Sequence, residues 1–120
     1  MTQGLLLVDH GSRRASANAL LDEVAERVRA KLGESALVEP AHMELAEPTL
    51  AQAFARLVER GATEVVVVPY FLSPGRHATE DVPRLAREAA AAFPDTPHRV
   101  APPLGPHDLL DQLVLVRFRE

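Results

Sequence analysis

Cysteine is absent from the 120-residue chain, and so is any long apolar run. Without thiols the protein can form no disulfide, iron–sulfur cluster or thiolate zinc site. No apolar stretch approaches the roughly 20 residues needed to cross a bilayer. The first apolar run also follows no basic segment of the kind that opens a signal peptide. We therefore expect a cytoplasmic protein without a membrane partner.

Basic charge is also scarce, since 13 Lys and Arg face 17 Asp and Glu for a formal net charge of −4. Nucleic-acid-binding domains carry a basic stripe, so we expect no nucleic acid partner. A local basic cluster still permits a small anionic ligand. The apolar fraction of 47% and charged fraction of 25% are typical of a globular protein. We expect residues 1–120 to form one domain, without repeats or linkers.

Four short apolar runs alternate with stretches of helical periodicity. The runs predict strands at 5–8, 36–41, 65–68 and about 98–101. The periodic stretches predict helices at about 17–32, from Pro48 to Gly61, from 79–81 to Pro94, and at about 106–117, the last of them amphipathic. This alternation is typical of a three-layer α/β domain with a parallel sheet between helices. The third run is apolar at every position, which predicts burial on both faces.

Right-handed crossovers and flavodoxin-like winding predict the strand order 2-1-3-4. Ligands of such sheets bind beyond the carboxyl ends of the strands, where the order reverses. His10 follows the first strand and His77 follows the third, so both should face one crevice. Imidazole binds divalent metals and exchanges protons near neutral pH. The pair therefore predicts a metal-handling site, with Glu44, after strand 2, at its flank.

Each of these residues, and several near them, also has a purely structural interpretation. His10 and His77 could cap backbone groups, and Glu44 could be an exposed loop acid. Glu47 is expected to favour the helix start at Pro48. His42 and His98 are predicted to be surface residues, and His107 to cap the last helix.

Four ordered motifs resemble those of the small CbiX/SirB-type sirohydrochlorin chelatases. They are residues 9–13 (DHGSR), 43–49 (MELAEPT), 69–83 (PYFLSPGRHATEDVP) and 103–107 (PLGPH). The resemblance implies a chelatase-like fold and insertion of Co²⁺, Fe²⁺ or Ni²⁺ into sirohydrochlorin, with no cofactor beyond that metal substrate. It also implies that His10 and His77 bind metal and catalyse, assisted by Glu44. Asp9 departs from the family pattern, in which glycine commonly precedes the histidine.

The same resemblance suggests how the substrate and a second subunit are bound. Sirohydrochlorin carries eight carboxylates, which fit the guanidinium groups of Arg13, Arg14 and Arg76. Backbone N–H groups between Ser73 and Gly75 could add donors near a helix start. Larger relatives contain two such units facing across a cleft, so a single unit implies a homodimer.

Two other functions are compatible with parts of the pattern. A non-catalytic metal or tetrapyrrole carrier could use the same crevice. A phosphoacceptor receiver domain would explain Asp9 at the end of strand 1. Such a domain also needs an aspartate at the end of strand 3, where Pro69 and Tyr70 stand.

Overall fold

Strands and helices alternate along the computed structural model, which describes all 120 residues. The strands are β1 (Gln3–Asp9), β2 (Ala36–His42), β3 (Glu64–Pro69) and β4 (His98–Val100). The α-helices are α1 (Ala15–Leu32), α2 (Leu50–Glu59), α3 (Val82–Ala90) and α4 (Asp108–Phe118). Neighbouring strands are all parallel, in the order β2-β1-β3-β4. The predicted α/β sheet and its strand order are confirmed.

The main core lies between the sheet and helices α2 and α3. Leu6 of β1 lies opposite Val67 of β3 in the parallel register, and both side chains are fully buried. Phe54 and Leu57 of α2 and Val82 of α3 complete the same apolar cluster. Close packing of this kind holds side chains in fixed positions. The core therefore fixes the carboxyl ends of β1 and β3, from which the site loops leave.

Only α1 covers the opposite face of the sheet, where it lies over β2 and β1. A smaller group of buried side chains fills this side: Leu7, Leu21, Ala25 and Val38. Beyond α1, Val66 and Val68 of β3 are only partly buried. The prediction that β3 is buried on both faces is therefore wrong for this face. The chain moves in one direction from β2 through β3 to β4, so right-handed crossovers place α2 and α3 together on the other side.

Helix α4 has the predicted extent but not the predicted amphipathic packing. None of its residues is buried, and it makes no extensive contact with another element. Six of its large apolar side chains are exposed: Leu109, Leu113, Val114, Leu115, Val116 and Phe118. The molecule measures 47 Å in its longest dimension against 30 and 26 Å in the others. None of the helices has the length and apolarity needed to span a bilayer.

The start of α2 also differs from the prediction. Thr49 Oγ1 accepts a hydrogen bond from the Gln52 N–H at 3.1 Å, and Gln52 Oε1 accepts one from the Thr49 N–H at 2.8 Å. This reciprocal cap starts the helix at Leu50, because it satisfies two backbone donors that would otherwise lack partners. Pro48 therefore lies before the helix. Glu47 is exposed three residues before Leu50 and does not cap it.

Candidate active site

The two histidines predicted to meet do lie side by side at the carboxyl edge of the sheet. Their ring centroids are 4.8 Å apart and their planes are nearly perpendicular, at 85°. They meet because β1 and β3 are neighbours in the sheet and His10 comes directly after β1. Phe71 lies against the His10 ring, with centroids 4.2 Å apart. His10 therefore packs against Phe71 and yet remains exposed to solvent.

The spacing of the two rings suits a shared metal ion. Metal–nitrogen bonds to imidazole measure about 2.0–2.1 Å. Two imidazoles that bind one ion at tetrahedral or right angles then have centroids roughly 5 Å apart. The observed 4.8 Å falls at that separation.

His77 is oriented by a neighbour that the sequence prediction missed. It opens a single π-helical turn, His77–Asp81, and its Nδ1 lies 2.8 Å from Asp81 Oδ2. Such turns are frequent at functional sites. Because the carboxylate occupies Nδ1, Nε2 is the nitrogen left for a metal or a proton. Asp81 stands four residues after His77, a spacing at which helical side chains meet, and this signal was available in the sequence.

A pocket of about 400 Å³ opens beside the two imidazoles. Ser73 and Gly75, both predicted to contact substrate, line it. The sequence analysis did not single out the remaining lining residues: Tyr70, Phe71, Leu72 and Ala78. Most of this second group is apolar, and Leu72 is 72% exposed. The pocket thus joins two metal-binding side chains to an apolar surface that a flat macrocycle could cover.

The three predicted arginines lie near this pocket in sequence but do not line it. Arg13 and Arg14 are exposed in the loop after His10. Arg76 is exposed beside His77, with Nε 3.4 Å from Glu80 Oε2. Exposed ion pairs of this type contribute little to stability, so Arg76 can exchange Glu80 for another carboxylate at small cost. All three remain available to an anionic ligand larger than the pocket.

Glu44 lies beside His10 through its backbone, and its side chain does not line the pocket. The Glu44 N–H donates to the His10 carbonyl at 3.2 Å, while the Glu44 side chain is exposed. No three His, Asp or Glu side chains converge on one point in a way that could hold a metal. The histidine pair is therefore assembled, whereas Glu44 would have to turn inward to join it.

His42 corrects the prediction of a surface residue, since it is only 1% exposed. Its Nδ1 lies 2.6 Å from Asp9 Oδ1. The register places Asp9 directly opposite His42, at the last pair of β1 and β2. His98 is half-buried rather than on the surface, with its ring 6.2 Å from that of Phe54 and the two planes at 75°. His107 is confirmed as a cap, because its Nδ1 accepts from the Leu109 N–H at 3.0 Å.

Known proteins match this chain over nearly its whole length. The CbiX family model matches residues 4–120. The sirohydrochlorin ferrochelatase of Arabidopsis thaliana, named as chloroplastic, is 48% identical over 116 residues. That alignment covers 97% of this chain and 51% of the Arabidopsis protein.

Two solved structures share the fold. The sirohydrochlorin chelatase SirB of Bacillus subtilis subspecies spizizenii, in complex with cobalt, gives a TM-score of 0.90 at 31% identity, over 99% of this chain and 50% of that chain. A cobalamin biosynthesis CbiX protein from Marinobacter aquaeolei gives 0.80 at 32% identity, over 98% and 94%. The chain thus spans about half the length of the Arabidopsis and Bacillus proteins and nearly all of the Marinobacter protein.

Proposed function

The chain belongs to the CbiX family, and from that membership we propose that it inserts Co²⁺, Fe²⁺ or Ni²⁺ into sirohydrochlorin. The observation that carries the proposal is the His10–His77 pair, with ring centroids 4.8 Å apart at the mouth of a pocket. Imidazole suits all three of these borderline metals. The choice among them therefore depends on supply as much as on the site.

Two imidazoles hold an ion without enclosing it. A structural metal site has four protein ligands and retains its ion, whereas a site with fewer leaves positions open. The four ring nitrogens of the macrocycle can occupy those open positions one after another while His10 and His77 release the metal. Asp81 keeps Nε2 of His77 directed to the ion throughout, because Nδ1 stays bonded to the carboxylate.

Insertion also removes two N–H protons from the macrocycle. As an imidazole gives up the ion it regains a free lone pair, and it can then accept one of these protons. Glu44 is proposed to assist by turning its exposed carboxylate toward the pocket, where it would offset metal charge or take the second proton. The balance is one divalent ion bound and two protons released to the protein and then to solvent.

The substrate is larger than the space next to the histidines. A pocket of about 400 Å³ is at the small end of the range for drug-sized ligands, and a tetrapyrrole with eight carboxylates extends beyond it. We propose that the apolar face at Tyr70 and Leu72 carries the macrocycle. Backbone groups at Ser73 and Gly75, with Arg13, Arg14 and Arg76, would then bind the carboxylates.

We propose that a second copy of the chain supplies the other wall, as a homodimer. Helix α4 and the face of β3 at Val66 and Val68 are the surfaces that fit such a partner, since both are apolar and no helix of the chain covers them. Burying the six exposed side chains of α4 would remove on the order of 500 Å² of apolar surface per copy. Two helices with the surfaces they cover would then reach the roughly 1,200–2,000 Å² of a stable interface.

Two cavities on this side of the sheet offer room for a partner helix, one at β3 itself and one along α1. One of about 180 Å³ is lined by Leu5, Leu32 and Val66, and one of about 340 Å³ by Leu20 and Val24, among others. Both lie on the α1 side of the sheet, where β3 lacks a covering helix. Occupation by α4 of a second copy would bury apolar surface on both partners.

The function is tested by following insertion of Co²⁺ and Fe²⁺ into sirohydrochlorin through its absorbance. His10→Ala and His77→Ala should each slow insertion by about 100-fold or more. Both side chains are largely exposed, so the free energy of unfolding should change by no more than about 0.5 kcal/mol. His107→Ser is the matched control, because it removes an imidazole outside the pocket and keeps an oxygen that can cap α4.

Wild-type insertion rates in His10→Ala and His77→Ala would contradict the assignment. Protein that binds Co²⁺ and sirohydrochlorin tightly, but never accelerates their combination, would instead identify a carrier. Cytoplasmic localisation stays a prediction.

A further inference from the structure

Asp9 and His42 form a polar pair, with His42 buried and Asp9 half-buried, that the proposed reaction does not use. We propose that this pair is a positioning device, which fixes the backbone of the His10 and Glu44 loops so that His10 faces His77. Neither Asp9 nor His42 lines the pocket beside the imidazoles. Any effect on chemistry must therefore pass through the loops that the pair connects. The inference rests on the proposed metal site at His10 and His77.

The Asp9 carboxylate makes two hydrogen bonds with different parts of the site. Its Oδ1 accepts from His42 Nδ1 at 2.6 Å and from the Gly11 N–H at 3.0 Å. The first bond ties the end of β1 to the end of β2. The second fixes the peptide that follows His10. One oxygen of Asp9 thus binds both His42 on β2 and the Gly11 N–H, and His10 lies between Asp9 and Gly11 in the chain.

The β1–β2 hydrogen-bonding pattern continues beyond the strands at this point. The Met43 N–H donates to the Asp9 carbonyl at 2.9 Å, and the Glu44 N–H donates to the His10 carbonyl at 3.2 Å. The Asp9–His42 contact is the side-chain link at the base of this extension. Loss of the link should therefore loosen His10 and Glu44 together.

Stability alone is a weak reason for this pair. Burying an ionisable pair costs desolvation free energy, and apolar side chains of similar volume are often as stable or more so. His42 is 1% exposed and is the one polar or charged residue among the buried ones, where a leucine or phenylalanine would be ordinary. A carboxylate that also holds the Gly11 peptide has a use that an apolar pair does not supply.

The test measures the affinity of Co²⁺ alone by isothermal titration calorimetry in wild type, Asp9→Ala, His10→Ala and the double variant. Loss of a residue that orients a metal ligand typically lowers metal affinity by about 10- to 100-fold. We expect that loss for Asp9→Ala in the wild-type background. In the His10→Ala background Asp9→Ala should cost clearly less than in the wild-type background, because only the Glu44 loop is then left to position.

A second pair of variants keeps the test independent of how well Asp9→Ala folds. In His42→Asn the amide nitrogen lies where Nδ1 was and can still donate to Asp9. In His42→Gln the amide lies nearer the position of Nε2 and cannot. His42→Asn should retain affinity within about threefold of wild type, whereas His42→Gln should lose the same factor as Asp9→Ala.

Three results would overturn the positioning role: equal losses from Asp9→Ala in both backgrounds, no loss in wild type, or equal behaviour of the two His42 variants. A failure of the metal site itself looks different. In that case His10→Ala would leave Co²⁺ affinity unchanged, whatever Asp9→Ala does.

Discussion

Gly11 provides a direct measure of how closely the site loops must approach. Its φ is +88°, a backbone conformation that side chains rarely adopt. A Cβ at this position would overlap the backbone oxygen of Glu44 and lie 3.1 Å from the Cβ of His42. Gly11→Ala therefore has two costs, one from backbone conformation and one from the contact between the loops.

The two costs can be separated with Gly61, which has φ +102° but nothing within 4 Å of its Cβ position. Gly61→Ala should cost about 1–2 kcal/mol from conformation alone. Gly11→Ala should cost about 1–3 kcal/mol more, because the overlap forces the loops apart. The sum of about 2–5 kcal/mol does not exceed the roughly 5–15 kcal/mol that typically stabilises a domain, so we expect a folded variant of reduced stability.

Urea denaturation followed by circular dichroism gives both free energies, and the insertion assay gives the rate per folded molecule. Gly11→Ala should slow insertion at saturating substrate, because the Glu44 N–H and the His10 carbonyl separate when the loops move. Gly61→Ala lies far from the pocket and should insert metal at the wild-type rate. If the two variants lose the same stability and both keep the wild-type rate, the close approach of the loops is not required.

The sheet and the histidine pair could be predicted because they depend on local patterns and general rules of topology. Apolar runs of strand length alternate with helical periodicity, and crossover handedness then makes β1 and β3 neighbours. His10 directly follows β1 and His77 lies at the end of the loop after β3, so both lie at the carboxyl edge of the sheet, where they meet. The resemblance to sirohydrochlorin chelatases is confirmed by the family match over residues 4–120.

The packing of α4 could not be predicted, because an apolar sequence does not say which surface it will cover. Residues 113–116 are apolar without interruption. The sequence analysis predicted an amphipathic helix here, and the structure leaves these residues exposed. An apolar segment predicts that its side chains will be buried, but the surface that buries them depends on how the rest of the molecule, or a second molecule, is arranged around it.

His42 was misjudged for a different reason. An isolated histidine is more often half-exposed than buried, and the residue that compensates its burial, Asp9, is distant in sequence. Their pairing appears only once β1 and β2 are aligned in register. Glu44 shows the same limit in reverse, because strand order placed its backbone at the site but did not determine where its side chain lies.

Two further predictions separate the site from the interface. Glu44→Gln should slow insertion, most strongly at low metal concentration. Glu47→Gln is the control and should change neither rate nor stability, because Glu47 is exposed and Thr49 caps α2. The opposite result would assign the carboxylate role to Glu47. The wild-type chain should sediment at twice its 13.1 kDa mass. Val114→Lys on α4 and Val66→Lys on β3 should each weaken the dimer by about 1,000-fold or more, because each would bury a charge in an apolar contact, while Gln112→Lys should not. Mixing the Val114→Lys and Val66→Lys proteins should give a weak heterodimer, because one of its two contacts is unchanged while the other contains both lysines. A monomeric wild type would show that α4 finds no second copy, and a dimer indifferent to Val66→Lys would show that two α4 helices pair with each other instead.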